Sequence, residues 1–114
     1  METKFRPLDA NEMALLEKLL DHDFPGRDAL RVQLASVTGR QIDENGSLEL
    51  SAAQNSRAEM LSACPTEGTC ADADGGTIAV LLHIQNGKLH QLEIFKEDGS
   101  EIRRAPKAGD LTTY

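Results

Sequence analysis

Residues Thr77 to Lys96, TIAVLLHIQNGKLHQLEIFK, decide the fold. Asn86-Gly87 is the strongest two-residue hairpin signal, because both residues tolerate the positive φ of a tight turn. With these two as the loop, the register pairs Ile84 with Leu89, His83 with His90, Leu81 with Leu92, and Ile78 with Phe95. The Ile78-Ala79-Val80-Leu81-Leu82 run is apolar on both faces, which places the first strand centrally in a sheet. Gln91 and Glu93 leave the second strand partly wet on one face.

Upstream of the hairpin, Asp43-Glu44-Asn45-Gly46 is a turn between Val37–Ile42 and Ser47–Ser51, a second hairpin with Leu48 and Leu50 alternating. Ala52 to Ser56 is small and polar and reads as a loop. Ala58 to Ala71 is ambiguous, because Pro65 and Gly68 interrupt a strand and would confine it to a sheet edge. Downstream, Asp98-Gly99 turns the chain before Ile102, and the tail looks loosely held.

The first third is helical in pattern. Asp9 caps a helix reaching about His22, Glu12 holds the reciprocal capping position, and Met13, Leu16 and Leu20 recur at helical spacing beside Leu15 and Leu19. Phe24-Pro25-Gly26 breaks the chain, and Arg27 to Ala35 forms a second short helix with Leu30 and Leu34 one turn apart. The expected fold is α+β: two N-terminal helices packed on a four- or five-stranded antiparallel sheet. A single domain spans 1–114, with helices at about 9–35, the sheet at about 37–104 and a loose tail at 105–114. Leu16 and Leu81 are expected in its core.

Charge and composition narrow the partners. The 114 residues are 39% hydrophobic and 27% charged, an ordinary globular balance. No apolar run approaches the roughly 20 residues of a membrane span, and Met1 to Leu8 has no apolar secretory core. The net charge of −7 is uneven: Gln41 to Gly76 holds seven acids against one base, Arg57. Such a surface repels phosphate backbones and attracts basic proteins, so neither nucleic acid nor membrane is an expected partner. With only Cys64 and Cys70 present, a reducing cytoplasm fits better than a secreted disulfide scaffold. These two could close a small loop or bind metal, but no second Cys or His pair stands near them at ligand spacing.

Four blocks are distinctive together: Phe5-Arg6-Pro7-Leu8, Phe24-Pro25-Gly26-Arg27-Asp28, Ile42-Asp43-Glu44-Asn45-Gly46-Ser47-Leu48, and Leu92-Glu93-Ile94-Phe95-Lys96-Glu97-Asp98-Gly99. In these blocks the chain resembles a family of small bacterial proteins of unknown function. The resemblance implies a stand-alone cytoplasmic bacterial domain and brings no activity or catalytic residues. In size and charge alone, the chain is also similar to the small acidic immunity proteins that neutralise bacterial toxins.

The candidate site residues follow from the acidic excess. Asp43, Glu44, Glu49, Asp72 and Asp74 are expected to bind a basic partner, and an immunity-type inhibitor of a basic toxin is the function this pattern suggests. The alternative is a small-molecule or metal site on the hairpin face, where His83 and His90 would be opposed neighbours. Two ligands fall short of the three or four that zinc wants. Asp72-Ala73-Asp74-Gly75-Gly76 opens like a calcium loop but lacks glycine at the sixth position and glutamate at the twelfth. No nucleophile elbow, phosphate loop or His-Glu-x-x-His motif occurs, so no catalytic residue is named and an enzyme ranks third. No cofactor is expected.

Overall fold

The computed structural model describes residues 1–52, 57–59 and 62–114. In chain order the elements are β1 (Arg6–Pro7), α1 (Ala10–Leu19), α2 (Arg27–Gln33), β2 (Val37–Gln41), β3 (Leu48–Ala52), β4 (Thr66–Ala71), β5 (Thr77–Gln85), β6 (Lys88–Lys96), a 3-10 turn at Ala108–Asp110, and β7 (Thr112–Thr113). The strands form one antiparallel sheet in the order β1-β2-β3-β6-β5-β4-β7. The fold is thus α+β, with seven strands among the described residues rather than four or five. The loop expected at Ala52 to Ser56 falls largely outside the described residues.

Local chemistry sets the helices. Asp9 Oδ1 accepts the Glu12 N–H at 2.8 Å while the Glu12 carboxylate accepts the Asp9 N–H at 2.9 Å, a complete capping box. Leu15, Leu16 and Leu19 of α1 and Leu30 of α2 are buried against the even-numbered residues of the central strands: Leu48, Ile78, Val80, Leu82, Leu92 and Ile94. Two buried polar side chains fasten these layers. Gln33 donates to the Gly87 carbonyl and accepts the Leu89 N–H, both at 2.9 Å, clamping α2 to the hairpin turn. Ser47 Oγ exchanges hydrogen bonds with the backbone N–H and C=O of Ile94, tying the turn before β3 to β6.

The β5–β6 hairpin begins as its Asn-Gly turn dictates. Asn86 and Gly87 have φ of 54° and 73°, and Ile84 stands opposite Leu89. One residue later the register shifts: His83 pairs with Gln91, Leu82 with Leu92, Leu81 with Glu93, and Ile78 with Lys96. His90 is the extra residue of a β-bulge. The expected His83–His90, Leu81–Leu92 and Ile78–Phe95 pairs are therefore corrected by one position. The cause is packing: Leu89 and Leu92 must both face the helices, and strict alternation cannot place an odd and an even residue on one face.

Both termini become sheet edges. β1 pairs with β2, and Pro7, which lacks an N–H, is tolerated there because the outer side of an edge strand needs no donor. The C-terminal tail is not loose. Leu111 is buried over Gly68, where a Cβ would stand 2.6 Å from Leu111 Cγ, and β7 pairs with Gly68 and Thr69 of β4. Gly68 thus accommodates Leu111 within a strand instead of breaking one. Leu81 lies half-buried on the sheet face away from the helices, and its expected core place belongs to Leu82.

Candidate functional site

Three turns meet at one end of the sheet: residues 42–47 before β3, 72–76 before β5, and 97–101 after β6. Antiparallel pairing brings them together, since Ile78 stands opposite Lys96 and Ser47 is bonded to Ile94. Asp43, Glu44, Asp72 and Asp74 therefore converge, joined by Glu97, Asp98 and Glu101. Glu49 does not belong to this group. It sits on the helix-free sheet face, where its Oε1 is 2.5 Å from Arg40 Nη2.

The converging acids do different work. Asp43 Oδ1 accepts the N–H groups of Asn45 (2.9 Å) and Ser47 (3.0 Å), which folds its own turn. Asp72 is 3% exposed and faces inward, correcting its place on an acidic surface. It receives Lys96 Nζ at 2.9 Å and the N–H groups of Ala73, Arg103 and Arg104 at 2.6–2.8 Å. Burial pushes its carboxyl up, but the Arg103 N–H, Lys96 and the other two N–H groups together outweigh this and hold it well below the usual carboxylate range. Asp74 takes Lys96 Nζ at 2.5 Å and the Gly76 N–H at 2.9 Å, and Lys96 above all keeps its carboxyl low.

Lys96 is the functional-looking residue that sequence reading missed. Its side chain has no solvent exposure, and its ammonium donates to Asp74, Asp72 and the Glu101 carbonyl, using all three N–H groups. The Asp74 and Asp72 carboxylates raise its pKa, so it remains charged and is not available as a nucleophile or base. Gly76 passes so close that a Cβ there would meet Lys96 Cε at 2.7 Å. A signal was legible: Lys96 shares the even parity of Leu92 and Ile94, which already marks it as core-facing.

Beside this triad lies an open cleft of about 630 Å³, lined by Glu44, Asn45, Phe95, Gly99, Ser100, Glu101, Ile102 and Ala105, with Lys96 in its wall. Glu44 and Glu101 are exposed, and neither carboxylate has a hydrogen-bond or ion-pair partner among the described residues. Phe95 supplies a half-buried ring beside them. The cleft can therefore hold a cationic group between two free carboxylates, next to an apolar surface.

The chain matches the family model described as a domain of unknown function (DUF6984) over residues 5–106. It belongs to that family. No curated protein and no solved structure matches it significantly. All four turn acids and the whole cleft lie within the matched residues.

The histidine alternative loses its geometry. His83 Nε2 is 2.8 Å from Glu93 Oε1, and His90 is displaced from its cross-strand position by the bulge. No group of three or more His, Cys, Asp and Glu side chains is placed to hold a metal among the described residues. Cys64 and Cys70 are free thiols, and burial pushes both pKa values up, which weakens them as nucleophiles. No helix among the described residues is long and apolar enough to cross a membrane.

Proposed function

We propose that this protein is a binding domain for a basic protein, in the manner of an immunity-type inhibitor, and that it grips the partner at the acidic end of its sheet. The observation that carries the reading is the pair of carboxylates, Glu44 and Glu101, unpartnered among the described residues, on one cleft beside Phe95. A lysine or arginine side chain entering there would meet two carboxylates and lay its aliphatic stem on the ring. The net charge of −7 would speed the encounter. Asp43, Asp72 and Asp74 support the site by holding its turns, and only Glu44 among the five acids singled out from sequence is left to touch a partner. A reducing cytoplasmic setting suits the two free thiols.

The test is a titration of the protein with a short lysine- and arginine-rich peptide, followed by amide NMR. Shifts confined to Asn45, Gly99 and Ser100 that vanish in an E44K/E101K variant and weaken with salt are expected. Shifts scattered over the surface, or unchanged in the variant, overturn the reading.

A further inference from the structure

Asparagine is followed by glycine twice in the chain, at Asn45-Gly46 and Asn86-Gly87. Such a pair is chemically labile, because glycine has no Cβ to keep its backbone nitrogen away from the asparagine side-chain carbonyl carbon. That nitrogen attacks Cγ, the C–N bond of the side-chain amide breaks, and ammonia leaves. Water then opens the five-membered imide at either carbonyl, giving aspartate or isoaspartate. Both products carry a carboxylate where the amide stood. Closing the ring requires the two residues to turn toward each other, so the fold decides which pair reacts.

The two pairs are held differently. The Gly87 carbonyl accepts Gln33 Nε2 and the Ala58 N–H, both at 2.9 Å, and a Cβ on Gly87 would stand 2.6 Å from the Ala58 carbonyl oxygen. Turning the Asn86-Gly87 peptide would pull on both hydrogen bonds in a crowded place. Gly46 is not confined in this way. Its φ is +92°, and a Cβ there would meet only Ile94 Cδ1, at 3.9 Å. Neither the Gly46 N–H nor the Asn45 side-chain amide has a hydrogen-bond partner among the described residues. Asp43 Oδ1 holds the N–H groups of Asn45 and Ser47, which flank the ring that would form and are not part of it. Asn45 also lines the open cleft, where water can reach it.

Two aspartate-glycine pairs near the cleft, Asp74-Gly75 and Asp98-Gly99, could form the same imide from an acid. Lys96 and Ser100 engage these carboxylates and keep their pKa values low, and an ionised carboxylate is a poor acyl acceptor. We infer that Asn45 is a site of spontaneous deamidation in the folded protein, and that its conversion adds a third carboxylate to the cleft of Glu44 and Glu101. The chain then carries one negative charge more than its −7, placed at the acidic end of the sheet. The effect of that charge on a cationic partner rests on the binding proposed above, whereas the modification does not.

Peptide mapping by mass spectrometry, after incubation of the full chain in mildly alkaline buffer, tests the site. The mass gain of an amide-to-acid exchange should appear at Asn45 while Asn86 stays intact, and should be absent in N45Q. In urea, where neither turn is held, the two asparagines should convert at similar rates. Q33A, which takes one donor from the Gly87 carbonyl, should raise conversion at Asn86 alone. No conversion at Asn45, prior conversion at Asn86, or a preference for Asn45 that persists in urea overturns the inference. N45D supplies the product charge directly and should bind the lysine- and arginine-rich peptide more tightly than the native protein. If the native protein binds and N45D binds no better, the third carboxylate does not reach the cation and that part is overturned. If neither binds, basic-partner binding fails together with the role of the charge in it, while the mapped modification stands.

Discussion

Lys96 Nζ lies 2.9 Å from Asp72 Oδ2, and neither side chain is exposed to solvent. Asp72 also anchors the backbone of Arg103 and Arg104, so one carboxylate joins the turn before β5, the end of β6 and the start of the C-terminal segment. Asp72→Asn should therefore lower the melting temperature clearly more than Asp98→Asn, whose carboxylate only caps an exposed turn through Ser100. Differential scanning calorimetry of the two variants makes the comparison.

The same cluster fixes the pH response. Asp72 and Asp74 have folded-state pKa values below the ordinary 3.8, so the unfolded chain binds protons first. Their contribution is fully present above that value and is lost as pH falls through the lower folded values. Lys96 has the opposite sign: its pKa is raised above 10.5, so its contribution is complete below that pH and is lost as pH rises through the folded value. Urea titrations from pH 6 downward should show a steep acid limb in the native protein and a shallower one in Asp72→Asn. Equal slopes would remove the cluster as its cause.

The core prediction separates two neighbouring leucines. Leu16 and Leu82 have no exposure and sit in the helix–sheet core, so truncating either to Ala should cost roughly 2–5 kcal/mol. Leu81→Ala, on the half-buried outer face, should cost less than about 1.5 kcal/mol. Chemical denaturation with constant m-values would establish both.

Much of this fold was written locally. Asp9 with Glu12 announced α1, Asn86-Gly87 announced the central hairpin, and the 43–46 turn announced β2 and β3. What escaped was non-local or broke an alternation. The apolar positions Leu89, Leu92 and Ile94 change parity within β6, which requires the bulge at His90, whereas a strict two-residue period sets His83 opposite His90 instead of Gln91. The edge strands β1 and β7 are two residues each and exist only because β2 and β4 offer free edges. A pattern of charges along the chain could locate the acidic end of the sheet. It could not tell Asp72, turned inward to a lysine 24 residues away, from Glu44, which faces solvent.

The clamp on the hairpin turn should be severe for its size. Gln33→Ala removes the partner of the buried Leu89 N–H and one of the two donors to the Gly87 carbonyl, which keeps the Ala58 N–H, at a cost of roughly 1–3 kcal/mol. Gly87→Ala strikes the same turn from the other side, because φ is +73° and the new Cβ would stand 2.6 Å from the Ala58 carbonyl oxygen. Hydrogen exchange at Leu89 should accelerate in both variants before global unfolding does.

Recognition and stability should separate among the acids themselves. Glu44 and Glu101 are exposed and unpartnered among the described residues, so reversing both to Lys breaks no contact seen in the fold and should change stability by less than about 1 kcal/mol. The same double reversal places two positive charges on the cleft that would receive a basic side chain. Association with a cationic peptide should slow markedly and lose most of its salt dependence, since complementary charge acts chiefly on the encounter rate. Asp72→Asn should do the reverse, lowering stability while leaving the salt dependence of association near that of the native protein, provided the comparison is made where both are folded. Stopped-flow association across a salt series, paired with thermal unfolding of each variant, reads both effects. If E44K/E101K binds at the native rate, or if Asp72→Asn flattens the salt dependence instead, the division between inward structural acids and outward binding acids is wrong.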